Sequence, residues 1–360
     1  MRGATVMCEA NECMGMEGDG VDRRKLLSLT GVIVAAATNP QVAADLARVQ
    51  HGGLDAGWAA AAQRHTRMLV GAYRNVKPNT LLPHVQAHLD VLGTRAGEPA
   101  NGRVGRAMGR VVAETSALGG ELAMVMQRWG QADGYLAVAE RAAKEAEDPL
   151  LEAQVRGLSA IRHSRIPRGE VMPSGEAVTR LEQAAAAVRH GGPALTSAWL
   201  HAKLAVEYAA GNRGAAAAKT MTVAERMLDR GEDEREESGL WSAEALLEYL
   251  KGKEALRGFE GVALLVLGDP GAKEPLEAGI AGAEGSPTGR GSMHADLVAV
   301  YATAGQPEKA VEHGHLALDL VEETGFWVRR ERVKARAKTL RLWRGLGIVR
   351  EFEERVRMVA

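Results

Sequence analysis

Aromatic residues are scarce in this sequence, making up only 4% of 360 residues although 46% are hydrophobic. Ala, Leu, Val and Gly supply most of the apolar content instead. Strands favour aromatic and β-branched residues, whereas Ala has the highest helix propensity and lets helices pack closely. Only residues 262–267 resemble a strand, and because helical pattern flanks them we expect a buried helix there. The composition therefore argues against a β-sheet protein and favours packed helices.

Cysteine and net charge are also scarce. Cys8 and Cys13 are the only cysteines, and the formal net charge is −1. Two cysteines near one end exclude a disulfide framework for the folded body, and they fall short of the four ligands of a structural zinc site. A balanced charge provides no general attraction to nucleic acid or to anionic membranes. We therefore expect no metal, no cofactor and no direct contact with nucleic acid or membrane.

The sequence has no apolar run of transmembrane length. Residues 26–37 come closest, but Ser28 and Thr30 interrupt them. Arg23 and Arg24 precede this stretch, so a twin-arginine export signal is one interpretation. The other is a short helix that packs on the body, favoured by the short length and by the acidic residues upstream. On the second interpretation the protein is cytoplasmic.

Apolar spacing divides the chain into three regions. Residues 1–20 show no period and are predicted to be disordered. Residues 21–102 predict an N-terminal helical region, and residues 103–360 predict degenerate repeats that end in basic capping helices. Within the repeats, apolar helical stretches end at four Gly-polar pairs, where glycine can adopt the left-handed conformation that ends a helix. These pairs are Gly130-Gln131, Gly211-Asn212, Gly268-Asp269 and Gly305-Gln306.

Two stretches carry the spacing of the tetratricopeptide repeat (TPR), a pair of antiparallel helices that stacks on its neighbours. The stronger one, residues 291–325, departs from the motif where His294 replaces a tryptophan and Gly314 replaces a bulky aromatic residue. Its matching positions are Leu297, Tyr301, Gly305, Ala310, Ala317 and Leu318. The second, residues 197–231, matches at Leu204, Tyr208, Ala217, Met221 and Ala224. The sequence therefore predicts an all-α fold, a TPR-like helical-repeat array or α-solenoid.

Four segments carry a resemblance to a known family. They are DRRKLL at 22–27, YRNVKPNTLLP at 73–83, YLAVAERA at 135–142 and AWLHA at 198–202. Together they resemble the C-terminal TPR-like region of bacterial XRE-type transcriptional regulators, in which a helix-turn-helix domain comes first. The resemblance implies a role in transcriptional regulation, or in development or secondary metabolism. Residues 1–21 have no helical pattern, so we do not expect the helix-turn-helix domain in this chain.

Known catalytic motifs are missing from the sequence: it has no nucleophile elbow, no P-loop and no dinucleotide-binding glycine pattern. His84 and His88 are four residues apart and could hold a metal on one helical face. We instead expect a solvated or helix-capping pair of histidines. His313 and His315 are two residues apart, so they should point to different faces of their helix.

A basic run near the C-terminus allows two interpretations. One is a patch for nucleic acid or an acidic partner. The other, favoured by the apolar spacing of Val333, Ala337 and Leu340, is an amphipathic capping helix with a charged outer face. The run comprises Arg329, Arg330, Arg332, Lys334, Arg336, Lys338, Arg341 and Arg344.

In a TPR-like array the first helix of each pair lines a concave groove. The register places four mostly small or apolar residues toward that groove: Trp199, Val206, Ser292 and Ala299. Such a lining favours a peptide or partner protein as the ligand. We therefore predict a regulatory interaction protein rather than an enzyme. The exposed ends of such an array also allow a homodimer. The alternatives are a transcription regulator whose DNA-binding domain lies outside the chain, and a biosynthetic enzyme on a helical scaffold. The enzyme would show a closed pocket with convergent polar groups.

Overall fold

The computed structural model describes residues 40–73, 76–95, 102–189, 192–231, 252–283 and 286–359. Throughout these ranges the regular structure is α-helix or short 3-10 helix without any strand, which confirms the all-α prediction. Residues 262–267 are indeed helical. No helix within the same ranges combines the length and apolar character needed to cross a bilayer. The predictions for Cys8, Cys13 and the possible export signal with Arg23 and Arg24 fall outside the described residues.

The chain forms two compact units, residues 1–124 with 128–158, and residues 125–127 with 159–360. The boundary predicted at residue 102 coincides with the beginning of a helix, whereas the compact units divide at 158. Within the described ranges, the first six helices are α1 (Pro40–His51), α2 (Ala56–Ala72), α3 (Pro78–Thr94), α4 (Gly102–Val125), α5 (Trp129–Glu145) and α6 (Pro149–His163). The next nine are α7 (Gly175–Val188), α8 (Ala194–Ala210), α9 (Gly214–Gly231), α10 (Gly252–Leu267), α11 (Lys273–Gly282), α12 (Pro287–Thr303), α13 (Pro307–Thr324), α14 (Val328–Ala337) and α15 (Gly347–Met358).

In the first unit, side chains fix the junction of α1 and α2. The Asp55 carboxylate accepts a hydrogen bond from the Trp58 backbone N–H at 2.7 Å and so caps α2. The buried Trp58 indole donates to the Val49 carbonyl at 3.0 Å, which ties α2 to α1. Pro83 lies inside α3, which begins at Pro78.

In the second unit, consecutive helices pair and the pairs contact each other in chain order. The pairs are α8 with α9, α10 with α11, and α12 with α13, while α14 packs mainly on α12 and α15 packs mainly on α13. The first helix of each pair also contacts the first helix of the next, and α12 contacts α14, so that α8, α10, α12 and α14 follow one another. This order matters because those four helices build the site described below.

Three of the four Gly-polar pairs were predicted correctly as helix breaks, and at two of these three the glycine is the left-handed residue. Gly268 and Gly305 both have a φ of 74°, the left-handed conformation expected at a helix end. At the second break the left-handed residue is Asn212, with a φ of 56°, rather than Gly211. The prediction for Gly130 was wrong because that residue lies inside α5. Asparagine visits this conformation more readily than most residues, which explains the shift at Asn212.

The stretch 291–325 forms the predicted pair α12 and α13, with Leu297, Ala310 and Ala317 fully buried. Gly314 leaves a space on α13 that the Phe352 ring from α15 fills: a Cβ at Gly314 would lie 2.3 Å from Cζ of that ring. The aromatic group expected within the repeat is thus supplied by the last helix.

The C-terminal basic run is not one helix. It comprises α14, a 3-10 helix (Lys338–Trp343) and the turn before α15. Val333 and Leu340 are buried as their spacing predicted. The expectation of a charged outer face does not hold for Arg332 and Arg336, which are only 4% and 6% exposed. A buried carboxylate accounts for their position, as shown below.

Candidate functional site

A cavity opens within the second unit along the line of first helices. Its walls come from the end of α6 and the 3-10 turn after it, from α7, and from α8, α10, α12 and α14. The enclosed volume is about 120 Å³, and the whole recess with its open mouth is about 900 Å³. The site is therefore built by elements from residues 160–332 and needs no part of the first unit.

The walls are mainly apolar. Their side chains come from six helical elements and from the turn after α11, and they leave a surface suited to an aliphatic or aromatic group. The apolar lining residues are Ala160, Ile161, Ile166, Pro167, Leu181, Val206, Phe259, Val262, Ala283 and Met293.

Small residues allow the helices around the cavity to approach closely. A Cβ on Gly279 of α11 would lie 2.7 Å from the Cα of Gly258 on α10 and 2.7 Å from Sδ of Met293. Gly169, with a φ of 78°, lets the 3-10 turn approach α14, since a Cβ there would lie 2.8 Å from Cβ of Ala335. Substituting these glycines would push the walls apart.

Glu207 on α8 is the most buried acidic group of the cavity wall, with only 3% of its surface exposed. Its Oε1 accepts a hydrogen bond from the Ser164 hydroxyl. Its Oε2 is also buried but has no hydrogen-bond partner in the part of the chain that the structure describes. Burial raises the pKa of Glu207, while the Ser164 hydroxyl and nearby Lys203 oppose this effect. A buried oxygen without a donor is costly, so this atom marks a place where a ligand donor would bind favourably.

A cation lies one helical turn before this acid. Lys203 also lines the cavity, and its Nζ is 5.0 Å from the centre of the Phe259 ring. That distance is within the range of a cation–π interaction. The Phe259 ring therefore presents a surface at the cavity that attracts positive charge.

A buried ion cluster fixes α14 to α12. Asp296 on α12 is fully buried and accepts hydrogen bonds from Nε of Arg332 at 3.0 Å and from Nε of Arg336 at 2.9 Å. Burial alone would raise the pKa of Asp296, but the two guanidinium groups outweigh it and hold that pKa below its usual value. Arg332 lines the cavity while it is held by Asp296, so the cluster supports that wall.

The four residues predicted to line the groove are all buried in α8 and α12. Val206 and Ser292 line the cavity. Trp199 and Ala299 lie in the same two helices but are not among the lining residues.

The expectation of a solvated histidine pair on α3 was wrong. His84 and His88 are 9% and 2% exposed. His88 uses both ring nitrogens inside the first unit, with Nε2 3.1 Å from Oγ1 of Thr66 and Nδ1 3.1 Å from Nδ1 of His65. Burial lowers the pKa of His88 well below its ordinary value and that of His65 to about 4. The cluster is a packed polar core rather than a surface site.

A second buried acid lies near this cluster. Glu114 on α4 is 2% exposed, and its Oε2 accepts a hydrogen bond from Nε2 of Gln63 at 2.5 Å. Burial raises the pKa of Glu114 to about 7, although the Gln63 bond lowers it somewhat. Both interactions belong to the first unit.

The histidines of α13 point to different faces, as their spacing predicted. His313 has its Nδ1 2.8 Å from Nδ1 of His294 and stacks on the Tyr301 ring. His315 instead contacts Arg355 of α15, whose Nη1 lies 3.0 Å from its Nδ1.

Sequence reasoning missed Glu207 because Lys203 and Glu207, four residues apart, have the spacing of an ordinary surface ion pair. One signal was present: the surrounding residues of α8, from Ala194 to Ala210, are nearly all apolar or small. An acid in such a helix is rarely on the surface.

Comparison with protein-family models and with curated proteins finds no match to this chain. The function proposed for this chain therefore depends on the geometry of the second unit.

Proposed function

We propose that this chain is a TPR-like interaction protein with a regulatory role, which binds a peptide segment of a partner in a groove along α8, α10, α12 and α14. The observation that carries the proposal is that the cavity is walled by the first helices of three successive pairs and by α14, which packs on the last of them. In helical-repeat proteins these helices form the concave, ligand-binding side. The XRE-type resemblance supports the regulatory role.

The chemistry of the walls suits a polypeptide segment. A mainly apolar recess with an open mouth accepts one or two side chains while the rest of the segment lies outside. Val206 and Ser292, both predicted from the repeat register, line that recess. The register argument and the cavity thus support the same surface.

An enzyme is the second candidate, because polar groups do converge on the cavity. Ser164, Lys203, Glu207 and Arg332 all line it. However, Ser164 donates its hydroxyl hydrogen to Glu207, and Arg332 is held by Asp296. The lining residues within the described ranges include no histidine or cysteine that would activate or serve as a nucleophile. Binding accounts for this arrangement better than turnover does.

The proposal is tested with substitutions that place larger side chains in the cavity. Immobilised wild-type protein and the variants Val206→Trp and Ser292→Phe are incubated with lysate of the native host, and bound polypeptides are identified by mass spectrometry. Thr222→Trp on the exposed side of α9 is the matched control. We expect the wild type and the control to retain the same polypeptide and both cavity variants to lose it.

Circular dichroism first establishes that each variant keeps the helicity of the wild type. Equal retention by all folded variants would show that the polypeptide binds elsewhere. Turnover of a small molecule that both cavity variants abolish, without any retained polypeptide, would favour the enzyme instead.

A further inference from the structure

The cavity contains a recognition element that the repeat architecture alone does not require. Glu207 is 97% buried, lines the cavity and keeps Oε2 without a hydrogen-bond donor in the described part of the chain. Stability alone would favour an apolar residue at such a position, because an unsatisfied buried carboxyl oxygen costs free energy. A ligand that brings a hydrogen-bond donor to this oxygen would explain why an acidic residue occupies the position.

We propose that the Glu207 cavity binds a primary ammonium group attached to an apolar body, with the ammonium donating to Oε2 of Glu207. The inference rests on the proposed function, and it adds the chemistry of the segment that enters the groove. A lysine side chain and a peptide amino terminus beside an apolar residue both present this group.

Two features of the wall favour a cation with an apolar body over an anion, although Lys203 and Arg329 also line the cavity. Oε1 of Glu207 is already occupied by Ser164, so Oε2 is the acceptor that remains. The guanidinium of Arg332 is held by Asp296, so it is not a ready partner for an anion.

The ligand reaches Oε2 without a change in the helices. Oε2 is covered in the empty protein, but the torsion that turns a carboxyl group is broad and has a low barrier. Rotation of this group brings one oxygen toward the cavity while Ser164 can bond to the other. The surrounding Val206, Val262 and Met293 then contact the apolar body.

The test uses small probes on the full chain. Binding of phenethylamine, butylamine, neutral hydrocinnamamide and anionic hydrocinnamate is measured by NMR titration or calorimetry near neutral pH. Phenethylamine represents an apolar amino-terminal residue, and butylamine represents a lysine side chain. We expect an amine to bind at least about tenfold more tightly than hydrocinnamamide, because a charge-assisted hydrogen bond contributes more than a neutral one.

Two variants separate Glu207 from general charge effects. Glu207→Gln keeps the shape of the side chain but not its charge, and should weaken amine binding by about tenfold or more. Glu225→Gln on the exposed surface of α9 removes the same charge and should leave binding unchanged. Preference for butylamine assigns the group to a lysine side chain, and preference for phenethylamine assigns it to an amino terminus.

The inference is overturned if hydrocinnamate or hydrocinnamamide binds to the wild type as tightly as the amines, or if no amine binds. The comparison of probes on the wild type decides this even if Glu207→Gln fails to fold. If the amines bind in a way that depends on Glu207, but no retained polypeptide is lost in the Val206→Trp variant, the proposed function is refuted and this inference stands. If the Val206→Trp variant loses a polypeptide that the wild type retains, but no amine binds, this inference is refuted and the proposed function stands.

Discussion

Replacing Gly314 by alanine tests how the last helix is attached to the final repeat pair. The new Cβ would lie 2.3 Å from Cζ and 2.5 Å from Cε2 of Phe352, well inside van der Waals contact. Phe352 is fully buried, so its ring cannot swing into solvent without losing its packing. Overpacking of this kind costs about 1–3 kcal/mol, while alanine gains up to about 1 kcal/mol over glycine in a helix. We therefore expect the free energy of unfolding to fall by roughly 1–2 kcal/mol.

Urea unfolding followed by circular dichroism measures this change. Gly105→Ala in α4 is the control, because a Cβ at Gly105 would meet no atom within 4 Å and should stabilise the protein slightly. The double variant Gly314→Ala/Phe352→Leu should lose less stability than the two single changes added together, since leucine lacks the ring atoms that clash. If Gly314→Ala stabilises the protein as much as Gly105→Ala does, the proposed contact between α13 and α15 does not exist in solution.

Two further predictions concern buried charges. The pKa of Glu114 is about 7 in the folded protein and lower in the unfolded chain, so the free energy of unfolding declines as the pH rises between those two values. Glu114→Gln should therefore raise the free energy of unfolding by up to roughly 3 kcal/mol at about pH 8 and change it little near pH 4. Urea unfolding at both pH values measures this difference. An equal effect at both pH values would contradict the burial of an acid there. Asp296→Asn should lower the free energy of unfolding by roughly 3–5 kcal/mol, because it leaves Arg332 and Arg336 buried without a carboxylate. Asp319→Asn, which removes an exposed ion pair, should lower it by less than about 1 kcal/mol. Similar losses for the two asparagine variants in thermal melts would mean that the Asp296 cluster is hydrated and weak.

The period of the apolar residues predicted the helices well. Ala310 and Ala317 were identified as repeat positions from spacing alone, and both are fully buried. Gly268 and Gly305 were identified as helix ends because only a few residue types favour a left-handed backbone. These features are local: each depends on residues within one or two helical turns, so a single sequence is sufficient to predict them.

The charged residues were harder to predict. Arg332 and Arg336 have the spacing of a solvated helix face, yet Asp296, at least 36 residues earlier in the chain, draws both into the interior. His88 looked like half of a surface pair, but α2 brings Thr66 and His65 to its ring. Burial of a polar side chain depends on a partner from another helix, which local spacing does not reveal.

The amino-acid sequence by itself determined that this chain is helical, where many of its helices end, and which small residues lie between paired helices. It did so because helix propensity and the 3.6-residue period act over short distances along the chain. Only the tertiary structure decided that Val206 and Ser292 share a cavity with Glu207, and that Phe352 fills the space beside Gly314. Those arrangements arise when helices distant in sequence pack together, and the electrostatic environment of an acid such as Glu207 exists only after they have done so.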